Sequence, residues 1–405
     1  MGINDLLNIY KPLLTQEHIS ILKNKTCAID IMVWLYKGVY ASLNNQKEQN
    51  EKNDIYLNYP LKMISLLLSF DIKCICVFDG KILKAKQKEI TNRNLYKETS
   101  KKLAEKLEKE GKEEESKKIF NRTLKTKSRM INSLIEILKK LNQKVIISPY
   151  ESDAEISYLY KEKKIDFAIT EDSDLIPYGV KKIVFKLDPS GNCEYLDLEK
   201  KYINYPNYIC KFLLNIPKLK LIQFCVMLGC DYLPQIKGFG CKSAFKIFSF
   251  CDSIDDVVYF LKNSGKYQFE NNDDNNYIIK AKNACSVFLY QTIYDIDKKI
   301  LRPLIRNLDY ERGIDNVESL KEKVFVNDVL DMGIDKSYFG EFFDNCIDFC
   351  EGNLDVKTLL KEKKTEKIEN INKYYIKYKR IIDIQKDTIK NENPVFLNKK
   401  RTLDT

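Results

Sequence analysis

Histidine is nearly missing: the 405-residue chain carries one, His18. Histidine-based zinc centres and Ser-His-Asp nucleophiles both depend on imidazole, so both are nearly excluded. Long apolar runs are missing too. The longest, ISLLLSF at 64–70, stops at Asp71, well short of the ~20 residues that cross a bilayer. Twelve cysteines include no CxxC pair, and no signal-peptide pattern opens the chain. Cys27, Cys74 and Cys76 sit in apolar strand-like runs, and Cys225 and Cys285 in apolar helical patterns. Reduced, buried thiols in an intracellular protein are therefore expected rather than a disulfide framework. The start MGINDL has Leu at position six and so lacks the Ser/Thr of a myristoylation signal.

What is present supports a real core: 44% of residues are hydrophobic and 31% charged, with a net charge of +10. The length allows one large or two ordinary domains. The basic excess favours a polyanionic partner, although a genome-wide taste for Asn, Lys and Ile produces the same excess. Short apolar runs alternate with helical stretches. TCAIDI (26–31), IKCICVFDG (72–80), QKVIIS (143–148), IDFAIT (165–170) and KKIVFKL (181–187) read as strands. Continuous apolar strands alternating with helices indicate an α/β fold, a mostly parallel central sheet with helices on both faces. Residues 84–140, rich in Lys and Glu with a break at Gly111, read as an inserted helical hairpin. From about 218 the pattern is all-helical. Residues 351–405 read as a charged, weakly structured tail carrying one helix near 371–384.

Ligands of open parallel sheets bind at the carboxyl ends of the strands, and there the acids gather. Asp30 lies near the end of one strand, Asp79 ends the next, and Glu171, Asp172 and Asp174 follow IDFAIT. Glu151 and Asp153 follow QKVIIS at a helix start. One acid at a strand end is ordinary; this many on one rim is costly unless cations neutralise them. Oxygen-only ligation points to Mg²⁺ or Mn²⁺. Two such ions about 4 Å apart suit phosphodiester displacement. Glycoside hydrolysis needs only two acids and gains nothing from a basic chain. Ser152-Asp153-Ala154-Glu155 fits a capping box, which makes Glu155 structural. Glu171 points away from Asp172 and Asp174 on an extended segment and stays outside the metal set.

Lys86 and Arg93 are seven apart, about 20° short of two helical turns, so they share a face just after Asp79. That position suits gripping a phosphate; Lys97 continues the stripe but reads as solvated surface. Gly238 and Gly240 are either a plain turn or a backbone-amide cradle for phosphate, with Lys242 adding positive field. Asp231 precedes Gly238 by seven residues and can join the acidic rim. Tyr36 follows Trp34 and Leu35 in an amphipathic helix, where a core position is the plain reading.

In order, MGI, AIDIMVWLYKG, CVFDGKILKAKQKE, PYESDAEISYL, ITEDSDL and LGCDYLPQIKGFGCKSAFKI cover nearly all of 1–250. This series resembles the structure-specific 5′ nucleases, the flap endonuclease and exonuclease 1 family. VFDGKIL and NACSVFLYQTIYDIDKKILRPL (283–304) are similar to the exonuclease 1 branch. The resemblance implies a nuclease core over 1–350, with 84–140 as its helical arch and 218–260 as a helix-two-turn-helix that holds K⁺ on the uncleaved strand. It implies Asp30, Asp79, Glu151, Asp153, Asp172, Asp174 and Asp231 as ligands of two Mg²⁺ ions, and Lys86 and Arg93 as bases on the scissile phosphate. It implies DNA contacts at Gly2, near the junction of single and double strand, at Gly238, Gly240 and Lys242, and at Tyr36 as a stacking residue. Tyr36 departs from the histidine more usual in exonuclease 1, and Met32 from an aromatic.

The expected activity is a 5′→3′ exodeoxyribonuclease on ends, nicks and gaps of duplex DNA with associated 5′-flap cleavage, in nuclear DNA repair. A dedicated flap endonuclease and a non-catalytic DNA-binding scaffold are the alternatives. The Gln-aliphatic-aromatic pair of a sliding-clamp motif is not found: Gln385 leads only to Thr388. KKR at 399–401 is too short to serve as proof of a nuclear address.

Overall fold

The computed structural model describes residues 2–44, 54–124, 126–202, 205, 207–269, 274–305, 340, 343–356 and 374–383. Its centre is a seven-stranded sheet in the order β1-β7-β6-β5-β2-β3-β4. The five runs read as strands from their apolar character are all there: β2 (Thr26–Asp30), β3 (Lys73–Phe78), β4 (Lys144–Ile147), β5 (Phe167–Ile169) and β6 (Lys182–Phe185). They pair in parallel. Successive residues Cys27, Ala28, Ile29 and Asp30 are all buried. Neighbours on a strand face opposite ways, so both faces of the sheet are covered.

Two strands escaped the sequence reading. β1 (Thr15–His18) and β7 (Asn192–Asp197) add antiparallel pairings at one edge. TQEH and NCEYLD carry the polar residues that edge strands tolerate, so the apolar run that marks a central strand is missing from both.

Helix α1 (Leu6–Tyr10) precedes the sheet. α2 (Ile31–Asn44) leaves the end of β2 without a linking residue, and α3 (Asn58–Ser69) leads into β3. α4 (Gln87–Lys109) and α5 (Glu113–Asn121) fold back on each other across Gly111, where Ser116 Oγ donates to the Ala104 carbonyl at 2.7 Å. Only Ser100, Ala104 and Ser116 are buried in this pair, so it is a thin polar hairpin. The excursion is shorter than 84–140. α6 (Ser128–Lys140) buries Ile131, Leu134, Ile135, Ile137 and Leu138 against the β4 side of the core. Its apolar stripe makes it a sheet-covering helix.

α7 (Ser152–Lys161) follows β4, and α8 (Leu175–Tyr178) follows β5. Then come α9 (Tyr208–Asn215), α10 (Lys218–Leu228), α11 (Cys241–Phe248), α12 (Ile254–Asn263) and α13 (Asp274–Tyr290). The region beyond 218 is not wholly helical. β8 (Thr292–Asp295) and β9 (Ile300–Pro303) form an antiparallel hairpin; at four residues each, TIYD and ILRP are too short to stand out in the sequence. α14 (Cys346–Cys350) and Leu354 and Val356 close the core. In the expected tail, residues 374–383 form a helix whose Tyr378 hydroxyl bonds the Asn58 carbonyl at 3.0 Å. The rest of that tail, apart from 351–356, lies outside the described residues.

All twelve cysteines are free, and Cys27, Cys74, Cys76, Cys225 and Cys285 are buried as read. Among the described residues no helix is long and apolar enough to cross a membrane.

The β8–β9 hairpin is fastened along α7. Tyr294 N donates to Glu155 Oε2 at 2.8 Å, and Arg302 packs over the Tyr158 ring at 4.9 Å. Arg302 also bonds Asp295 at 2.9 Å and Glu162 at 3.3 Å. Removing one partner of a buried pair leaves an uncompensated charge. Arg302→Met is therefore expected to cost about 3 kcal/mol in urea unfolding. Adding Asp295→Asn to it should recover most of that loss, which the same titration measures.

Candidate active site

Strand β2 is the middle one of the five parallel strands. From it the chain runs outward through β3 and β4, then returns to β5 and β6 on the other side. The order reverses at the β2/β5 boundary, where open α/β sheets leave a crevice beyond the strand ends. The register sets the acids at comparable heights. Asp30 pairs with Val77, and Ile29 with Ile169. Asp79 and Asp172 therefore each lie two residues beyond the level of Asp30. Thr170 Oγ1 donates to Asp30 Oδ2 at 3.4 Å.

Helix α7 starts differently from the capping-box reading. Its N-cap is Glu151, with no side-chain cap. The Ser152 amide is taken instead by Asp79 Oδ1 at 2.9 Å, so the acid of one strand caps the helix after the next. Glu155, freed from the cap, is fully buried and receives the β8 amide of Tyr294. It is structural, as expected, but through a different bond.

The bases meet the acids. Lys86 Nζ lies 2.5 Å from Glu151 Oε1 and 2.9 Å from Asp231 Oδ2. Arg93 reaches Asp231 at 3.2 Å and pairs with Glu89 one turn back on α4. Burial disfavours the Lys86 ammonium, but Glu151 and Asp231 overcome that and hold its pKa well above the usual value. Lys97 is structural: it donates to the Leu124 carbonyl at 3.0 Å, tying α4 to the turn beyond α5. Glu171, left outside the set, pairs with Lys37 of α2 at 2.6 Å.

Among the described residues, positive charge is in short supply elsewhere on the rim. Burial, with Asp79 and Asp172 nearby, pushes the Asp30 carboxyl up to about 8. Burial also raises Asp153, with Asp172, Asp174, Asp30 and Glu151 adding repulsion, and raises Asp174, with Asp172 and Asp231 adding theirs. Asp172 is raised mainly by burial. Among the described residues, Asp153 Oδ1 and Asp174 Oδ1 are buried acceptors without a hydrogen-bond partner. Unmet, all-oxygen acceptors fit a hard divalent cation. No three carboxyl groups of the described residues already stand together as a metal ligand set. Lys86 bridges Glu151 and Asp231 instead.

The chain start is laced into the same place. Ile3 N donates to Ser173 Oγ at 3.1 Å, and Asn4 N to the Gly229 carbonyl at 3.2 Å. This holds Gly2, at φ 91°, so close that a Cβ there would sit 1.9 Å from Asp172 Oδ1. Only glycine fits. The other DNA-contact candidates make no bond to the acids among the described residues. Tyr36 is 40% exposed and Tyr40, one turn on, 44%, so Tyr36 is not a core residue. Gly238, at φ 80°, and Gly240 face open space, and Lys242 at the start of α11 is exposed. Sequence reasoning missed Tyr232, whose hydroxyl donates to Glu151 Oε2. It also missed Ser173 and Glu89, although the Glu89–Arg93 spacing of four was a readable helix pair.

Two family profiles match the regions that carry these residues. The XPG N-terminal domain profile matches residues 1–100, which hold Asp30, Asp79, Lys86 and Arg93. The XPG I-region profile matches 142–231, which hold Glu151, Asp153, Asp172, Asp174 and Asp231. The catalytic core of Rad2 in complex with DNA substrate superposes with a TM-score of 0.52 at 18% identity, covering 95% of this chain and 100% of that one, and so shares the fold. These matches support the structure-specific 5′ nuclease family. Within it, exonuclease 1 of Danio rerio is 31% identical over 306 residues, covering 75% of this chain and 37% of the relative. Exonuclease 1 of Drosophila melanogaster is 31% identical over 312 residues, covering 77% of this chain and 42% of the relative. The chain thus spans about two fifths of the length of these relatives.

Gly2→Ala is expected to push Asp172 off its position. The measurement is Mn²⁺ binding by calorimetry, which should weaken by about tenfold. The melting temperature should also fall, because the positive φ and the close approach to Asp172 and Ser173 leave no room for a Cβ.

Proposed function

We propose that the chain is a metal-dependent 5′→3′ exodeoxyribonuclease acting on ends, nicks and gaps of duplex DNA, with associated 5′-flap cleavage, in nuclear DNA repair. The observation that carries this is one crevice in which Lys86 and Arg93 lie against acids that lack enough positive charge. The exonuclease 1 relatives support the choice of substrate end. Asp30, Asp79, Glu151, Asp153, Asp172, Asp174 and Asp231 would hold two Mg²⁺ ions, with Mn²⁺ as substitute. Bound there, the ions would supply Lewis-acid chemistry: activation of the attacking water and neutralisation of the leaving oxygen, giving 5′-phosphate and 3′-hydroxyl products.

The chain's own residues bind and orient. Lys86 is charged and already inside the crevice, so an incoming phosphate need only draw it from Glu151 and Asp231. That exchange leaves both carboxylates open at the moment the phosphate arrives. Arg93 offers a planar fork for a second phosphate contact. Its pairing with Glu89 keeps the guanidinium on the crevice side of α4.

Further from the crevice, we assign 1–350 to the nuclease core, the α4–α5 hairpin within 84–140 to an arch over the substrate end, and 218–260 to a helix-two-turn-helix. The open backbone at Gly238 and Gly240, with Lys242 beside it, suits duplex phosphates and a K⁺ ion. Exposed Tyr36 suits stacking on a base. No sliding-clamp contact is proposed.

Asp174→Asn tests the assignment. Cleavage should be lost while duplex binding in Ca²⁺ stays near the unsubstituted level. The melting temperature should rise by roughly 2 °C, because one carboxylate leaves a repelling group. A variant that still cuts normally refutes the metal role. Rates on a nicked or blunt duplex against a 5′-flap oligonucleotide, with and without Mg²⁺, decide the branch. A wide preference for the flap would make the chain a dedicated flap endonuclease. DNA affinity should fall steeply with salt, and Lys86→Met should reduce that slope by about one ion.

A further inference from the structure

Behind Glu151 lies a line of hydroxyls. Tyr232 O–H donates to Glu151 Oε2. The Tyr178 hydroxyl lies 3.5 Å from that of Tyr232 and donates at 2.6 Å to Oε1 of Gln291, the residue just before β8. Tyr178 and Gln291 are buried. Phe288 packs on both tyrosine rings, at 4.9 and 5.4 Å between centroids, which fixes where the two hydroxyls point.

A proton inventory decides the direction of the line. Each tyrosine owns one hydroxyl proton. If the amide oxygen of Gln291 faces Tyr178, that proton goes to Gln291 and the Tyr232 proton goes to Glu151. The contact between the hydroxyls then holds no hydrogen, and Gln291 Nε2 is a buried donor with no partner among the described residues. Amide oxygen and nitrogen have the same shape, so the bonding network assigns them. Turned over, the amide donates from Nε2 to Tyr178, Tyr178 donates to Tyr232, and Tyr232 donates to Glu151. Every link then carries one proton and all point the same way. One of the two amide hydrogens is then paired, and the orphans left behind are the other hydrogen and the amide oxygen in place of two unpaired N–H donors. An under-satisfied carbonyl oxygen is less costly than an N–H.

We propose that Gln291, acting through Tyr178 and Tyr232, is a positioning residue that pins one oxygen of Glu151 and leaves the other facing the crevice. Successive donors polarise one another, so the last bond, onto Oε2, is stronger than a lone tyrosine would make. Oε1 is then the oxygen that Lys86 holds and releases. The line also joins the β8–β9 hairpin to the crevice, since Gln291 sits next to β8. This inference rests on the metal-site reading of Glu151.

Tyr178→Phe and Gln291→Met each keep shape and break the line without touching Tyr232 or Glu151. Calorimetry of the whole chain with Mn²⁺ alone reads the effect. Each variant should bind Mn²⁺ about tenfold more weakly, as loss of an outer partner of a ligand does. The double variant should be no weaker than either single one. Near-native Mn²⁺ affinity in Tyr178→Phe overturns the relay, whatever happens to melting temperature. Losses that multiply in the double variant also overturn it, since the residues would then act separately. Should Gln291→Met fail to fold, Tyr178→Phe alone carries the same decision. An unsubstituted chain that takes up no Mn²⁺ removes the metal-site reading and the relay with it, an outcome distinct from variants that match a binding parent.

Discussion

Repulsion among buried carboxylates is the constraint around which this molecule is organised. Asp30, Asp153, Asp172 and Asp174 are each pushed toward the neutral form by burial and by one another. Among the described residues, the opposing charge comes from α4 and the residue before it, as Arg93 on Asp231 and Lys86 between Glu151 and Asp231. Such a crevice stores unfavourable energy that a cation or a protonation can release. On the proposed function, a phosphate diester arriving with divalent ions would take the bases and leave the acids to the ions. Stability is thereby given up at the place where binding is needed.

The rest of the structure keeps those acids from drifting apart. The parallel register levels Asp30 with Val77 and sets Asp79 beyond it. Asp79 in turn caps α7 and so ties β3 to the helix that carries Asp153. On its far side α7 is held by the hairpin, through Tyr294 on Glu155 and Arg302 on Glu162. The first residues of the chain close the β5 side, with Ile3 on Ser173 and Gly2 against Asp172. Asp30, Asp79, Glu151, Asp172 and Asp231 are thus each met by an element distant in sequence.

Strand runs that are apolar on both faces were legible, and so were the acids at their ends. Legibility failed where burial is partial or the bond is non-local. TQEH and NCEYLD look like loop because an edge strand needs no continuous apolar run. Ser152 and Glu155 have the spacing of a capping box, yet a carboxylate from β3 took the amide and a β8 amide took Glu155. α6 was grouped with the charged hairpin because its neighbours are Lys and Glu, although its own stripe of Ile and Leu covers the sheet. Tyr36 was balanced between core and surface; helix α2 turns Trp34 and Leu35 inward and leaves Tyr36 out.

By itself the sequence determined the chemistry available: oxygen ligands without imidazole, bases seven apart on one helical face, and apolar strands ending in acids. These depend on residue type and short spacing, which a linear string preserves. Only the tertiary structure decided which partner each group has. It placed Lys86 between Glu151 and Asp231, Gly2 on Asp172, and Tyr178 between Tyr232 and Gln291. Those pairings join positions tens to hundreds of residues apart. Hydrogen bonds and ion pairs act over a few ångströms, and no local pattern in the chain records who will be that near.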